Sequence, residues 1–206
     1  MSNTPAIFIA DAPALDFLNS VATPVDARVD WLIDGQGLIN WLRQAHLVPE
    51  PVLERMRTEH KPSELDGVAE QARDLREWFR SFVRKHRGRP LGLDDFRKLE
   101  PLNRLLGRDE SFSQITPTTY KGGRRFELRP ARRWRSPEAL LLPIAEMLAH
   151  FVCSEDFTNV KSCEGPACTL LFADHTRGRA RRWCSMAICG NRAKQAAHRR
   201  RLKASR

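Results

Sequence analysis

Long apolar runs are missing from this sequence of 206 residues. A helix that spans a bilayer needs roughly 18–20 apolar residues in a row. The longest candidate here, Ala139 to Val152, is interrupted by Pro143, Glu146 and His150. The first ten residues carry no lysine or arginine ahead of their apolar stretch, so a secretory leader is not expected. No repeat or low-complexity tract occurs, and 41% apolar with 29% charged residues excludes a disordered or fibrous chain. H-E-x-x-H, the P-loop and G-x-S-x-G are absent, and the Asp, His and Ser of residues 1–160 show no catalytic spacing. These absences predict a globular, cytoplasmic protein that is not an enzyme and has no membrane partner. The length fits one ordinary domain, or a domain with a small module attached.

Acidic residues are scarce at one end only. Residues 161–206 hold twelve basic and two acidic side chains, while charges in residues 1–160 cancel. The whole net charge of +10 therefore belongs to the last 46 residues. Such asymmetry predicts a polyanionic partner for the tail. A second basic segment, 121–135, has seven basic residues and one acidic residue and contains Trp134. It reads either as an added phosphate-binding surface or as a charged hairpin edge.

Cysteine is absent before position 153. Of the five cysteines, Cys163, Cys168, Cys184 and Cys189 form two C-x4-C pairs separated by fifteen residues. In a reducing compartment two close pairs joined by a loop suit a tetrahedral four-thiolate zinc site better than disulfides. Four cysteines close the coordination shell, so His175 and Glu164 read as loop residues, and a structural rather than catalytic ion is expected. Cys153, in an apolar helical stretch, reads as a small buried residue. The tail has few large apolar residues, so metal binding is expected to supply much of its folding free energy. Loss of any one ligand should then unfold the tail while residues 1–160 stay folded.

The remaining sequence predicts an α+β protein: a mainly helical N-terminal domain (1–160) with a β-hairpin, then a small four-cysteine module (161–206) ending in a basic helix. Ile7 to Ile9 suggests a strand. Helices are expected over 14–20, over 36–45 with Asp34 as cap, from Pro49, from Ser63 with Asp66 to about Arg87, over 94–106, and from Ser136 to about Cys153. Phe112–Thr116 and Arg125–Arg129 suggest the hairpin. Asp16 and Asn19 are one helical turn apart; they read as braces, with a ligand pocket as the alternative, and Trp31, Trp41 and Trp78 read as core. After Cys189 and Gly190, alanines favour a helix from Asn191 to about Lys203. Asn191, Lys194 or Gln195, His198 and Arg201 share one face by three- and four-residue steps, and these residue types can read base edges.

The string Arg181-Arg182-Trp183-Cys184-Ser185-Met186, followed by Cys189-Gly190-Asn191-Arg192-Ala193-Lys194, resembles the bacterial CGNR zinc-finger proteins. The upstream cysteine pair and Leu171-Phe172-Ala173-Asp174 fit the same pattern. Members usually place a serine two residues after that aspartate; here it is Thr176. Ala14-Leu15-Asp16-Phe17-Leu18-Asn19, Trp31-Leu32 and the helical middle resemble the ABATE domain that precedes this finger. The resemblance implies a bacterial transcription regulator with one structural zinc ion held by Cys163, Cys168, Cys184 and Cys189. Arg181, Arg182, Asn191, Arg192, Lys194, His198, Arg199 and Arg201 are the candidate nucleic-acid contacts, with DNA ahead of RNA as the polymer. The N-terminal domain would sense a small-molecule effector of unknown identity or form a homodimer. The alternatives are an RNA-binding zinc protein and an adaptor for an acidic protein partner.

Overall fold

The computed structural model describes residues 5–23, 28–120 and 123–204, without the side chains of Arg200 and residues 203–204. The chain enters in extended form, with no strand at residues 7–9. The expected pairing does not form because the Ile9 and Ala10 N–H groups both donate to Asp16 Oδ1, at 2.9 and 3.0 Å. Asp16 lies in helix α1 (Pro13–Leu18), which Pro13 opens. Two short antiparallel strands follow, β1 (Val21–Ala22) and β2 (Val29–Asp30). Asp34 caps α2 (Gly35–Gln44) as expected, accepting from the Gly37 N–H at 2.7 Å.

Helix α3 (Glu50–Glu59) leads into α4 (Pro62–His86), the longest element. Its cap differs from the expected Ser63–Asp66 pair. Glu64 accepts from the Lys61 N–H at 2.8 Å, while Asp66 reaches across to the Gly35 N–H at 2.8 Å. A Cβ at Gly35 would lie 2.4 Å from Leu65 Cβ, so glycine is what lets α2 and α4 approach. The stripe of α4 buries Val68, Phe79, Phe82 and Val83, but it also buries Arg76 and Arg80. Arg76 holds Asp30 with two bonds of 2.8 Å, tying β2 to α4.

The single helix expected over 94–106 is divided into a 3-10 stretch, Leu93–Leu99, and α5 (Glu100–Leu106). Pro101 has no N–H to continue the earlier turn, and it starts the new helix well. Strands β3 (Ser111–Tyr120) and β4 (Gly123–Arg132) form the hairpin, longer than expected and almost wholly exposed. Helix α6 (Leu141–Ser154) is entered through a 3-10 turn, Pro137–Leu140. Together they make an 18-residue run apolar enough, by length and composition, to match a membrane span, although no such run was expected. Leu140, Leu141, Ile144, Ala145, Leu148 and Phe151 instead pack into the core. Cys153 lies beyond that packed face and is exposed, not buried.

The last elements are β5 (Val160–Ser162), its antiparallel partner β6 (Leu171–Ala173), a wide turn at Met186–Gly190, and α7 (Asn191–Ala204). One core runs through all of this. Leu170 to Ala173, Cys163, Cys184 and Cys189 belong to the same buried cluster as Phe17, Trp41, Phe79 and Phe151. On the edge of β6 away from β5, Asn19 makes two hydrogen bonds with Leu171: its Nδ2 donates to the carbonyl at 2.8 Å and its Oδ1 accepts from the N–H at 3.0 Å. The Ala173 N–H donates to Ala10 O at 2.8 Å. Asn19 and Asp16 are thus braces.

Candidate metal centre and its basic helix

The four cysteines are delivered by three pieces of backbone. Cys163 follows β5, Cys168 ends a tight turn closed by its N–H on Gly165 O at 3.0 Å, and Cys184 and Cys189 flank the start of the wide turn. Their sulfur atoms all lie within 4.8 Å of one another, and Cys168 Sγ is 3.8 Å from Cys184 Sγ. A tetrahedron with zinc–sulfur bonds of about 2.3 Å has edges of roughly 3.8 Å. The donor set and its size therefore fit one zinc ion.

The surroundings also suit thiolates. Cys163 Sγ accepts from the Gly165 N–H at 3.5 Å and the Cys184 N–H at 3.3 Å. The Cys184 thiol hydrogen-bonds to Cys168 and, against the cost of burial, draws the Cys168 pKa down to about 5. The same bond and burial push Cys184 up, and burial pushes Cys189 up to about 12. Four sulfurs this close cannot all be anionic without a cation, and a divalent ion bound there would take the place of the protons. A Cβ on Gly165 would sit 3.0 Å from both Cys168 Cβ and Cys189 Sγ, so the knuckle closes on a glycine.

A second, buried group organises the loop between the pairs. Asp174 is fully buried. It accepts from Lys161 Nζ at 2.7 Å, the Thr176 N–H at 3.1 Å and hydroxyl at 2.5 Å, and the Arg181 N–H at 2.9 Å. Burial alone would raise its pKa; these donors outweigh that and hold it well below the usual carboxylate range. Thr176 supplies the hydroxyl that a serine supplies in the family pattern. His175 faces outward and pairs with Glu155 at 3.0 Å, and Glu164 pairs with Arg182 at 2.6 Å, both loop residues as expected.

Arg181 is the correction among the expected nucleic-acid contacts. Its Nε donates to Trp183 O at 3.0 Å, its Nη1 to Asp11 and Ala173 O, and its Nη2 to Ile9 O and Cys184 O. All five donors are committed inside the protein, and the guanidinium lies 4.3 Å from the Phe172 ring centroid. Arg181 thereby fastens the finger to the entry segment of α1 and has no donor left for a phosphate. A sequence shows a basic residue beside a cysteine; it does not show that Asp11 and Ile9 arrive there from 170 positions away.

The other expected contacts are exposed. Arg182 lies 5.2 Å from the Trp183 ring centroid, and the side chains of Asn191, Arg192, Lys194, His198, Arg199 and Arg201 project from α7. They divide between two sides of the helix. Arg192, Gln195 and Arg199 border a groove of about 440 Å³ between α7 and the Gly165–Cys168 turn, with Ala193 and Ala196 as its floor. Asn191, Lys194, His198 and Arg201 fall on the adjoining side by their helical spacing. Gly190 starts this helix; a Cβ there would meet Met186 Sδ at 2.5 Å.

A family model described as "ABATE: Putative stress-induced transcription regulator" matches residues 11–155. A second, described as "CGNR zinc finger", matches residues 159–202. No protein of curated function matches the chain.

Proposed function

We propose that this chain, which belongs to the ABATE family and carries a CGNR zinc finger, regulates transcription by docking its metallated tail on duplex DNA. The observation that carries the reading is the joining of charge and placement. The residues holding the net +10 include a helix whose described basic side chains, Arg192, Lys194, Arg199 and Arg201, are exposed and which follows directly on the knuckle cysteine Cys189. One zinc ion with four thiolates changes the tail charge by only −2, so the basic surface survives metal binding. Cys163, Cys168, Cys184 and Cys189 would hold the zinc ion, whose role would be structural: with Cys189 fixed, the direction in which α7 leaves the body of the protein would be set. Arg182, Arg192, Lys194, Arg199 and Arg201 would contact phosphates and set register, while Asn191 and His198 at the start and middle of α7 face base edges. The buried helical part holds this reader on a rigid base through Arg181 and Asn19.

The test is fluorescence anisotropy with the zinc-loaded full chain on mixed genomic duplex fragments, with structured RNA as competitor. Five phosphate contacts predict a slope of about −4 to −5 for log affinity against log salt. Replacing Arg192, Lys194 and Arg199 together by glutamine should flatten that slope by about 3. Preference for RNA, or no nucleic-acid binding at low salt, would overturn the proposal; in the second case an acidic protein partner becomes the reading to pursue.

A further inference from the structure

The hairpin of β3 and β4 is the largest part of the fold left outside the core. Its register decides which side chains share a face. Ile115 stands opposite Leu128 and Pro117 opposite Phe126, with Ser113 and Pro130 as the next pair on that side. Side chains alternate along each strand, so these residues form one continuous apolar face. Gln114, Arg129, Thr116, Glu127, Thr118 and Arg125 form the other, with Phe112, Ala131 and Tyr120 at its ends, while Arg124 and Arg132 bound the apolar face at tip and root. The polar face is satisfied within the hairpin: Arg129 pairs with Glu127 at 2.8 Å, and Arg125 lies 5.8 Å from the Tyr120 ring centroid. The apolar face is bare. Ile115 is 69% exposed, Leu128 67% and Phe126 77%.

We infer that this face is a dimer interface, formed by stacking the hairpin on the same hairpin of a second copy of the chain. An isolated two-stranded ribbon is marginal in water and needs a covering layer. The three large side chains alone present about 450 Å² of apolar surface, at the scale where exposed patches mark interaction sites. A two-fold contact covers one such patch on each copy. With the flanking prolines, Ser113, Thr119 and the strand backbones, each patch approaches the roughly 800 Å² per partner of a stable interface. The patch centre is uncharged, so a copy meets itself there without repulsion, and the Asp109, Glu110 and Glu146 carboxylates at the hairpin root are already paired with Arg132 and Arg135 of their own chain. The product is a four-stranded sandwich with apolar pairs inside and both polar faces outward.

Sedimentation velocity on the zinc-loaded full chain tests this without any nucleic acid, so it stands or falls apart from DNA binding. The wild type should sediment as a dimer at micromolar concentration. Leu128→Glu and Phe126→Glu should each weaken the dimer at least 100-fold, with circular dichroism and zinc content unchanged. Gln114→Glu, on the opposite face, should leave the dimer constant within about twofold. A wild type that remains monomeric at 100 µM, or a dimer that survives the Leu128→Glu, Phe126→Glu double variant, overturns the inference. So does equal weakening by Gln114→Glu.

Discussion

Asn19→Ala is the most direct probe of how the finger is held. Asn19 is 1% exposed and satisfies both backbone groups of Leu171 on the edge of β6 away from β5. Alanine reaches neither group, and the site is closed to water. Each buried backbone group left unpaired costs about 1–3 kcal/mol, so the loss is about 4 kcal/mol for the pair. Against a total stability of about 5–15 kcal/mol that is large. At roughly 2–4 °C per kcal/mol for a chain of this size, the melting temperature should fall by about 10 °C. Leu171 is three residues from Cys168, so the ligand turn loosens with it. The assay is a thermal melt of zinc-loaded protein, followed by tryptophan fluorescence and by a chromogenic zinc chelator. Both signals should move together. Asn19→Asp should not rescue, because its second carboxylate oxygen faces the Leu171 carbonyl. A shift below 2 °C would refute the reasoning, as would earlier zinc release with an unmoved fluorescence transition, since the two parts would then be independent.

Cys168→Ser should leave the purified protein with less than one-tenth of an equivalent of zinc by mass spectrometry, whereas Cys153→Ser should keep a full equivalent, because Cys153 is exposed and apart from the cluster. Gly165→Ala places a methyl group 3.0 Å from a ligand sulfur and should weaken zinc at least tenfold in a chelator competition, with the helical signal unchanged. Asp16 gives a pH dependence. Burial lifts its pKa from the ordinary 3.8 to about 6 in spite of the two N–H donors. The folded state therefore favours the protonated carboxyl, and Asp16 stabilises least once it is ionised. That gap, at 1.36 kcal/mol per pH unit, is about 3 kcal/mol. Denaturant titrations should show Asp16→Asn gaining about 3 kcal/mol on the wild type between pH 4 and pH 6 and nothing more above pH 7; a flat difference across this window would disprove the assignment.

The metal ligands were legible in the sequence because the spacing of two close cysteine pairs leaves few chemical alternatives. Helices were legible where apolar period and cap agreed, as at Asp34. What escaped was everything set by long-range contact. At the strand expected over 7–9 the Ile9 N–H, with that of Ala10, goes to Asp16, and the Ser63–Asp66 cap lost Asp66 to Gly35. Arg76 and Arg80 sit in the interior of α4, where periodicity shows only a charge interrupting an apolar stripe. Arg181 looked like its basic neighbours until the fold supplied five acceptors for it. The expected independence of residues 1–160 assumed that the finger is held together by its metal alone. Leu170 to Ala173 lie instead in the common core, so removal of a ligand should disturb α1 as well as the tail.

The contacts of Asp11 and Ile9 with Arg181 have a consequence for synthesis. A ribosome makes the chain from the α1 end, and domains generally fold as their residues emerge. Here the outer edge of α1 lacks its partner until β6 and Arg181 have been translated, more than 150 residues later. Contacts at such separation are slow to form. Helices α2 to α6 can gather first, but the pocket for β6 stays open until residues 171–181 are translated. Cys168 and Cys184 lie on either side of β6, so a nascent chain short of zinc would be left with that strand unsecured rather than with a finished body and a loose tail.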